Sequence, residues 1–118
     1  MQTSDTLKIL FVCSRNRRRS LTAEHVLRGQ NGLQVRSAGT QPQARVVLTA
    51  GLIGWADLIF FMEKSHLNRA RLRFGAELQG KEIITLHIPD DYEYGQTELI
   101  EELRARTGDA IEWPDAEF

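Results

Sequence analysis

The sequence predicts an α/β domain built on a parallel sheet. Three observations carry this: apolar runs at residues 8–13 (KILFVC), 57–62 (DLIFFM) and 82–88 (EIITLHI), helical periodicity between them, and an arginine-rich loop directly after the first run. Runs without polar alternation read as strands covered on both faces. Strands alternating with helices imply parallel pairing through right-handed crossovers, so every strand's C-terminal end opens on one edge, where open α/β sheets bind ligands. At 118 residues the chain is expected to be a single domain over 1–118, large enough for a real core.

The elements follow in order. Residues 8–13 are the first strand and end on Cys13. The next apolar positions, Leu21, Ala23, Val26 and Leu27, return at near-helical spacing, so 13–20 is a loop entering a helix over 20–30, stopped by Gly29 and an Asn31-Gly32 turn. His25 in that helix reads as a surface or packing residue rather than a catalyst. Residues 33–37 (LQVRS) alternate like a half-buried edge strand and run into Ser37-Ala38-Gly39-Thr40. Residues 40–45 are loop, and 46–56 a short helix weakened by Gly51 and Gly54. A strand at 57–62 leads to a helix over 63–74 with Leu67, Ala70, Arg71 and Phe74 on one face. His66 on it has no partner at ligand spacing and reads as structural. Gly75 and Gly80 bracket a loop before the last strand at 82–88. Residues 89–95 (PDDYEYG) are a loop with two carboxylates and two phenols, followed by a helix over 96–106 with Leu99, Ile100 and Leu103 inward. From Thr107 no period is visible, and the end is expected to be mobile.

Composition bounds the function. Hydrophobic residues at 42% and charged residues at 26% describe an ordinary soluble globular protein. No apolar segment is long enough to span a membrane and the N-terminus lacks the order of a signal peptide, so a cytoplasmic protein without a membrane partner is expected. One cysteine excludes an internal disulfide, a cysteine-rich zinc site and a thiol relay within the chain. No cofactor and no metal are expected. Net charge is near zero but uneven: residues 1–59 carry eight Lys or Arg against three acids, and residues 60–118 seven against thirteen. Four of those eight lie in the Cys13 loop, so the positive field is local.

Chemistry concentrates in that loop. Cys13 and Arg19 are separated by five residues and Ser20 follows, giving Cys-x5-Arg-Ser/Thr, the pattern of cysteine-dependent phosphatases. A loop of this length can curl its N–H groups inward around phosphate oxygens at a helix N-terminus, while Arg19 clamps two oxygens with its planar fork. Positive surroundings favour the thiolate of Cys13, and Ser20 could donate a hydrogen bond to the sulfur. A lone cysteine after an apolar strand is also commonly a small buried hydrophobe, and short patterns recur by chance. The strand before, the helix after and Asn16 inside the loop weigh against that. A second function class stays open, a binding module that holds phosphate or a nucleic-acid backbone through the arginines without turnover. Near-zero net charge and the lack of a second basic cluster argue against broad nucleic-acid binding.

With the loops at 13–19 and 90–94 placed on one edge, the chain resembles the low-molecular-weight protein tyrosine phosphatases, and within them a short bacterial subgroup of predicted phosphatases. The resemblance rests on Cys13, Asn16, Arg19 and Ser20 in the loop, Ser37-Ala38-Gly39-Thr40 after the second strand, Ala56-Asp57-Leu58 through Met62-Glu63 around the third, and Asp90-Asp91-Tyr92 against the family's Asp-Pro-Tyr, all in order. It implies a phosphotyrosine protein phosphatase I-like fold, a three-layer sandwich around a four-stranded parallel sheet in the order 2-1-3-4. It implies Cys13 as nucleophile, Arg19 as phosphate clamp, Asn16 as shaper of the loop, Ser20 as partner of the thiolate, Asp90 as general acid, and Ser37 as support for Asn16. Asp91 adjoins Asp90 and could take the acid's place. Ser14, Arg15, Arg17 and Arg18 would complete the substrate-binding loop, with Tyr92 as the candidate pocket wall or else a packing or loop-anchoring residue. A phosphorylated protein or small molecule, or a phosphate or sulfate ion, would occupy the loop. Arsenate reduction, known on this fold, needs further cysteines.

The departures are specific. Arg15 stands for the family's Gly before Asn, Arg18 for its second loop Cys, and Arg17 for an apolar rim residue. The 40–49 segment is shorter than usual, and the His of His-x-Ala-Arg is absent near Pro42 and Gln43. Extra guanidinium groups favour ligands with more than one negative charge, such as nucleotides, sugar bisphosphates or acidic phosphopeptides, unless they pair with the acidic second half, for example Glu93.

Overall fold

The computed structural model describes residues 6–30 and 32–114. Four strands, β1 (Leu7–Cys13), β2 (Leu33–Gly39), β3 (Leu58–Phe61) and β4 (Glu82–Thr85), form one sheet in the order β2-β1-β3-β4. Every pairing is parallel, with Ile9 opposite both Val35 and Leu58. The expected sheet is therefore the observed one. Helices α1 (Arg19–Leu27), α2 (Ala50–Trp55), α3 (Lys64–Leu78) and α4 (Thr97–Thr107) connect and cover it.

The apolar runs are explained by burial on both faces. Ile9, Phe11, Leu58 and Phe60 point to one side, where Ala23 and Leu27 of α1 and Leu99 and Leu103 of α4 close over them. Leu10, Val12, Ile59 and Phe61 point to the other, under Ile53 of α2 and Leu67 and Ala70 of α3. Stacking of Phe11 on Phe60, centroids 5.1 Å apart, ties the two central strands within the first of these layers.

Several expectations are corrected at element ends. The first helix stops at Leu27, with Gly29 and Gly32 both at positive φ; Asn31, the other residue of the expected turn, lies outside the described residues. Helix α2 begins at Ala50 rather than 46, because Thr49 caps it by accepting from Leu52 N at 3.1 Å. The β-branched pair before it is instead extended beside β2: Gly39 N donates to Val46 O and Leu48 N to Gly39 O. Helix α3 runs through Gly75 to Leu78 with a non-helical residue at Phe74, so no loop opens at Gly75; Arg71 is exposed and not on the buried face. The last strand pairs only through Thr85, although Leu86 and Ile88 stay buried with their N–H groups bonded to Phe61 and Met62. The tail is packed up to Trp113, whose indole N–H donates to Thr107 Oγ1 at 2.7 Å beside buried Ile111. The last four residues, where mobility is expected, lie outside the described residues.

Candidate active site

Strand β1 is central, with β2 on one side and β3 on the other, so the loops leaving β1 and β3 open a crevice at the edge. Cys13 is the last residue of β1, opposite Gly39 in β2. The loop that follows is held from outside by the 40–45 segment: Thr40, Gln41 and Arg45 donate their N–H groups to the carbonyls of Cys13, Ser14 and Arg15, each at 3.0 Å. Each peptide is planar and trans, so the N–H groups of Ser14, Arg15 and Asn16 turn the opposite way. That of Asn16 donates to Cys13 Sγ at 3.2 Å.

Asn16 is fully buried at φ 60°. Its side-chain amide donates to Ser20 Oγ at 2.8 Å, and the Ser20 hydroxyl lies 2.8 Å from Cys13 Sγ, where it donates when the sulfur is a thiolate. A thiolate at Cys13 would receive both the Asn16 N–H and the Ser20 hydroxyl. Asn16 Oδ1 is buried and has no hydrogen-bond partner among the described residues.

Arg19 opens α1 and is 3% exposed, because it reaches across the crevice. Its terminal nitrogen donates to the Glu63 carboxylate and, at 2.9 Å, to Ile88 O, while its Nε lies 3.8 Å from Asp90 Oδ1. These partners follow β3 and β4, so one guanidinium, where the loop after β1 enters α1, joins the C-terminal ends of three of the four strands. Glu63 is in turn fixed at the N-terminus of α3 by a reciprocal cap in which its own N–H donates to His66 Nδ1 at 3.1 Å. Accepting there requires neutral His66. Burial, and then the Arg19 charge, hold that histidine far below its ordinary value, at about 4, against the opposing pull of Glu63 and Asp90.

A cavity of about 330 Å³ is lined by Cys13, Ser14, Arg15, Arg17, Arg18, Arg19, Gln41 and Asp90. Asn16 and Ser20 sit beneath it, bonded to the sulfur and to each other. Asp91 and Tyr92 are not in the lining. Tyr92 packs on the core instead, which corrects its assignment as pocket wall. Ser37 also departs from its implied role: its hydroxyl donates to Glu24 rather than to Asn16. Glu24 lies 3.9 Å from Arg45, whose Nε donates to Asn16 O at 3.4 Å, so the support is relayed. His25 bonds the Tyr94 hydroxyl, and Thr22 Oγ1 accepts from Gly95 N at 3.0 Å, anchoring the Asp90 loop to α1. Among the described residues no three His, Cys, Asp or Glu side chains gather where they could hold a metal ion.

Sequence reasoning missed Glu63 and Arg45. Glu63 was legible as the acid just past β3 on the ligand-binding edge; Arg45 had no such signal.

No protein-family model matches the chain, and comparison with curated proteins finds no match. Solved structures do match. YwlE of Bacillus subtilis, as a mutant, is 27% identical over 69% of this chain and 72% of its own, with a TM-score of 0.57. A low-molecular-weight phosphotyrosine phosphatase of Vibrio cholerae is 21% identical over 88% and 95%, at 0.64. Wzb of Vibrio vulnificus, solved with benzylphosphonate, is 24% identical over 81% and 88%, at 0.62. This is the fold of the low-molecular-weight protein tyrosine phosphatases. In a low-molecular-weight phosphatase fold the Cys13 loop, the Glu63 turn and the Asp90 loop fall on the ligand-binding edge by topology, and the side-chain contacts above connect them.

Proposed function

We propose that the chain is a phosphomonoester hydrolase of the protein-tyrosine-phosphatase type, acting through a cysteinyl-phosphate. The observation that carries this is Cys13 Sγ, hydrogen-bonded by Asn16 N–H and Ser20 at the base of a cavity walled by Arg19 and Asp90. The Cys13 thiolate attacks phosphorus in line, the ester P–O bond breaks, and Asp90 gives its proton to the leaving oxygen. Water then attacks phosphorus, the S–P bond breaks, Asp90 takes the proton and the thiolate returns. Arg19 and the inward N–H groups balance charge on the equatorial oxygens. Asp90 fits the acid role better than Asp91, because only Asp90 lines the cavity.

The similar structures support phosphatase chemistry by their descriptions, which include arginine phosphatases of the YwlE type and protein tyrosine phosphatases. Phosphorylated proteins or small molecules are the substrates this reading implies. Cys13→Ser should abolish turnover of 4-nitrophenyl phosphate assayed without added metal while leaving the thermal unfolding cooperative. Retained turnover in that variant would sink the mechanism.

A further inference from the structure

Arg15, Arg17 and Arg18 all line the cavity above Cys13, yet the proposed chemistry uses none of them. Arg19 already has its counter-charge in Glu63. The other three are exposed, and among the described residues none of them enters an ion pair or a side-chain hydrogen bond; the acidic second half does not reach them. The remaining lining is Ser14, Gln41 and Asp90, with no aromatic or large apolar side chain. Tyr92, the one aromatic expected there, is half-buried against the core and is not part of the cavity lining. A ring sandwich of the kind an aryl phosphate needs is therefore absent from the cavity wall.

A phosphate monoester brings a charge of about −1.5 to −2 at neutral pH. The inward N–H groups and the helix N-terminus answer that charge, together with the Arg19 guanidinium that Glu63 shares. Three further guanidinium groups remain around the same opening, with no partner among the described residues.

We propose that the cavity takes small phosphate esters bearing a second phosphate or an equivalent anionic group, which Arg15, Arg17 and Arg18 hold while Cys13 addresses the first. The inference rests on the phosphatase reading for its first phosphate but not for its second. A cavity of about 330 Å³ fits a ligand of nucleotide or sugar-bisphosphate size. Net charge near zero and a single basic cluster favour such a small polyanion over a nucleic-acid strand, which would need an extended track of cations.

The test compares adenosine 3′,5′-bisphosphate with adenosine 5′-monophosphate. Phosphate release is followed with the unmodified protein, and binding is measured calorimetrically with Cys13→Ser. The bisphosphate should be preferred about tenfold in kcat/KM and in affinity, since exposed charge pairs add a few-fold each. The preference should shrink as salt is raised, a readout that needs no variant of the rim. It should be lost when Arg15, Arg17 and Arg18 are all replaced by Ala and kept in Arg71→Ala, which removes a charge from the exposed side of α3. Hydrolysis of both compounds with no preference, or a preference that survives the triple replacement, would overturn the inference and leave the phosphatase reading standing. No hydrolysis of either nucleotide or of 4-nitrophenyl phosphate, with selective binding of the bisphosphate, would overturn the phosphatase reading and leave the polyanion site. Tighter, steeply salt-dependent binding of a single-stranded RNA oligonucleotide would overturn the small-molecule assignment, and failure to bind either nucleotide would overturn it outright.

Discussion

Gly39→Ala is the substitution that ties the fold to the active loop most tightly. Gly39 ends β2 opposite Cys13, and a Cβ there would lie 2.4 Å from Ser14 O, 2.7 Å from Ala44 Cβ and 3.0 Å from Arg15 C. Two of these atoms are backbone of the Cys13 loop, so no side chain can swing away. Relief requires the loop to move, and with it the three N–H to carbonyl bonds from Thr40, Gln41 and Arg45 that keep its own N–H groups inward. Forced overpacking of this kind costs about 1–3 kcal/mol. At this length that is a fall in Tm of about 4–12 °C. Restoring ordinary contact at Ser14 O needs a shift of about 1 Å, and displacing the nucleophile by that much should cut kcat/KM on 4-nitrophenyl phosphate by about 100-fold. Gly54→Ala is the matched control, since nothing lies within 4 Å of a Cβ there and the residue is inside α2. It should stabilise the protein by about 0.5–1 kcal/mol and leave activity unchanged. Differential scanning calorimetry and steady-state assays on both variants decide the matter. A Gly39→Ala protein with unchanged Tm and unchanged turnover would refute the close approach on which the loop geometry depends.

Three other predictions follow from the contacts around Arg19. Glu63→Gln keeps a hydrogen-bonding shape but leaves the buried guanidinium without its counter-charge, so kcat should fall about tenfold or more with a smaller change in KM; unchanged kinetics would show that Arg19 is placed without Glu63. His66 is held at about 4 while its unfolded value is near 6.5. Between those values the unfolded chain binds more protons, so stability is fully present above pH 6.5 and is lost as pH falls towards 4, by about 2 kcal/mol between pH 7 and 5. Urea titrations should show that slope, and His66→Gln should flatten it; an equal slope in both proteins would remove His66 as its source. Asp90→Asn should lower kcat on poor leaving groups far more than Asp91→Asn, and the reverse order in a leaving-group series would exchange their roles.

The strands were legible because both faces of the sheet are covered, which forces long apolar runs such as KILFVC and DLIFFM with no polar interruption. The Cys13 loop was legible because anion binding fixes both residue type and spacing. Helix starts were less so: Val46 and Val47 carry the same apolar signal in an extended segment against Gly39 as they would in a helix, and only the cap at Thr49 separates the two. Tyr92 was misplaced because a phenol near the edge can face the cavity or the core, a choice made by packing rather than by sequence position. Ser37 lay in a recognisable stretch, but its partner is Glu24, which meets it, and Arg45 in turn, only in three dimensions.

The central claim is a covalent bond between Cys13 and phosphorus. Rapid mixing with excess 4-nitrophenyl phosphate, acid quenching and mass spectrometry of the digested protein test it most directly. The account predicts a burst of nitrophenol and a phosphoryl adduct on the peptide holding Cys13, absent from Cys13→Ser. Steady turnover with no adduct on that peptide would contradict it.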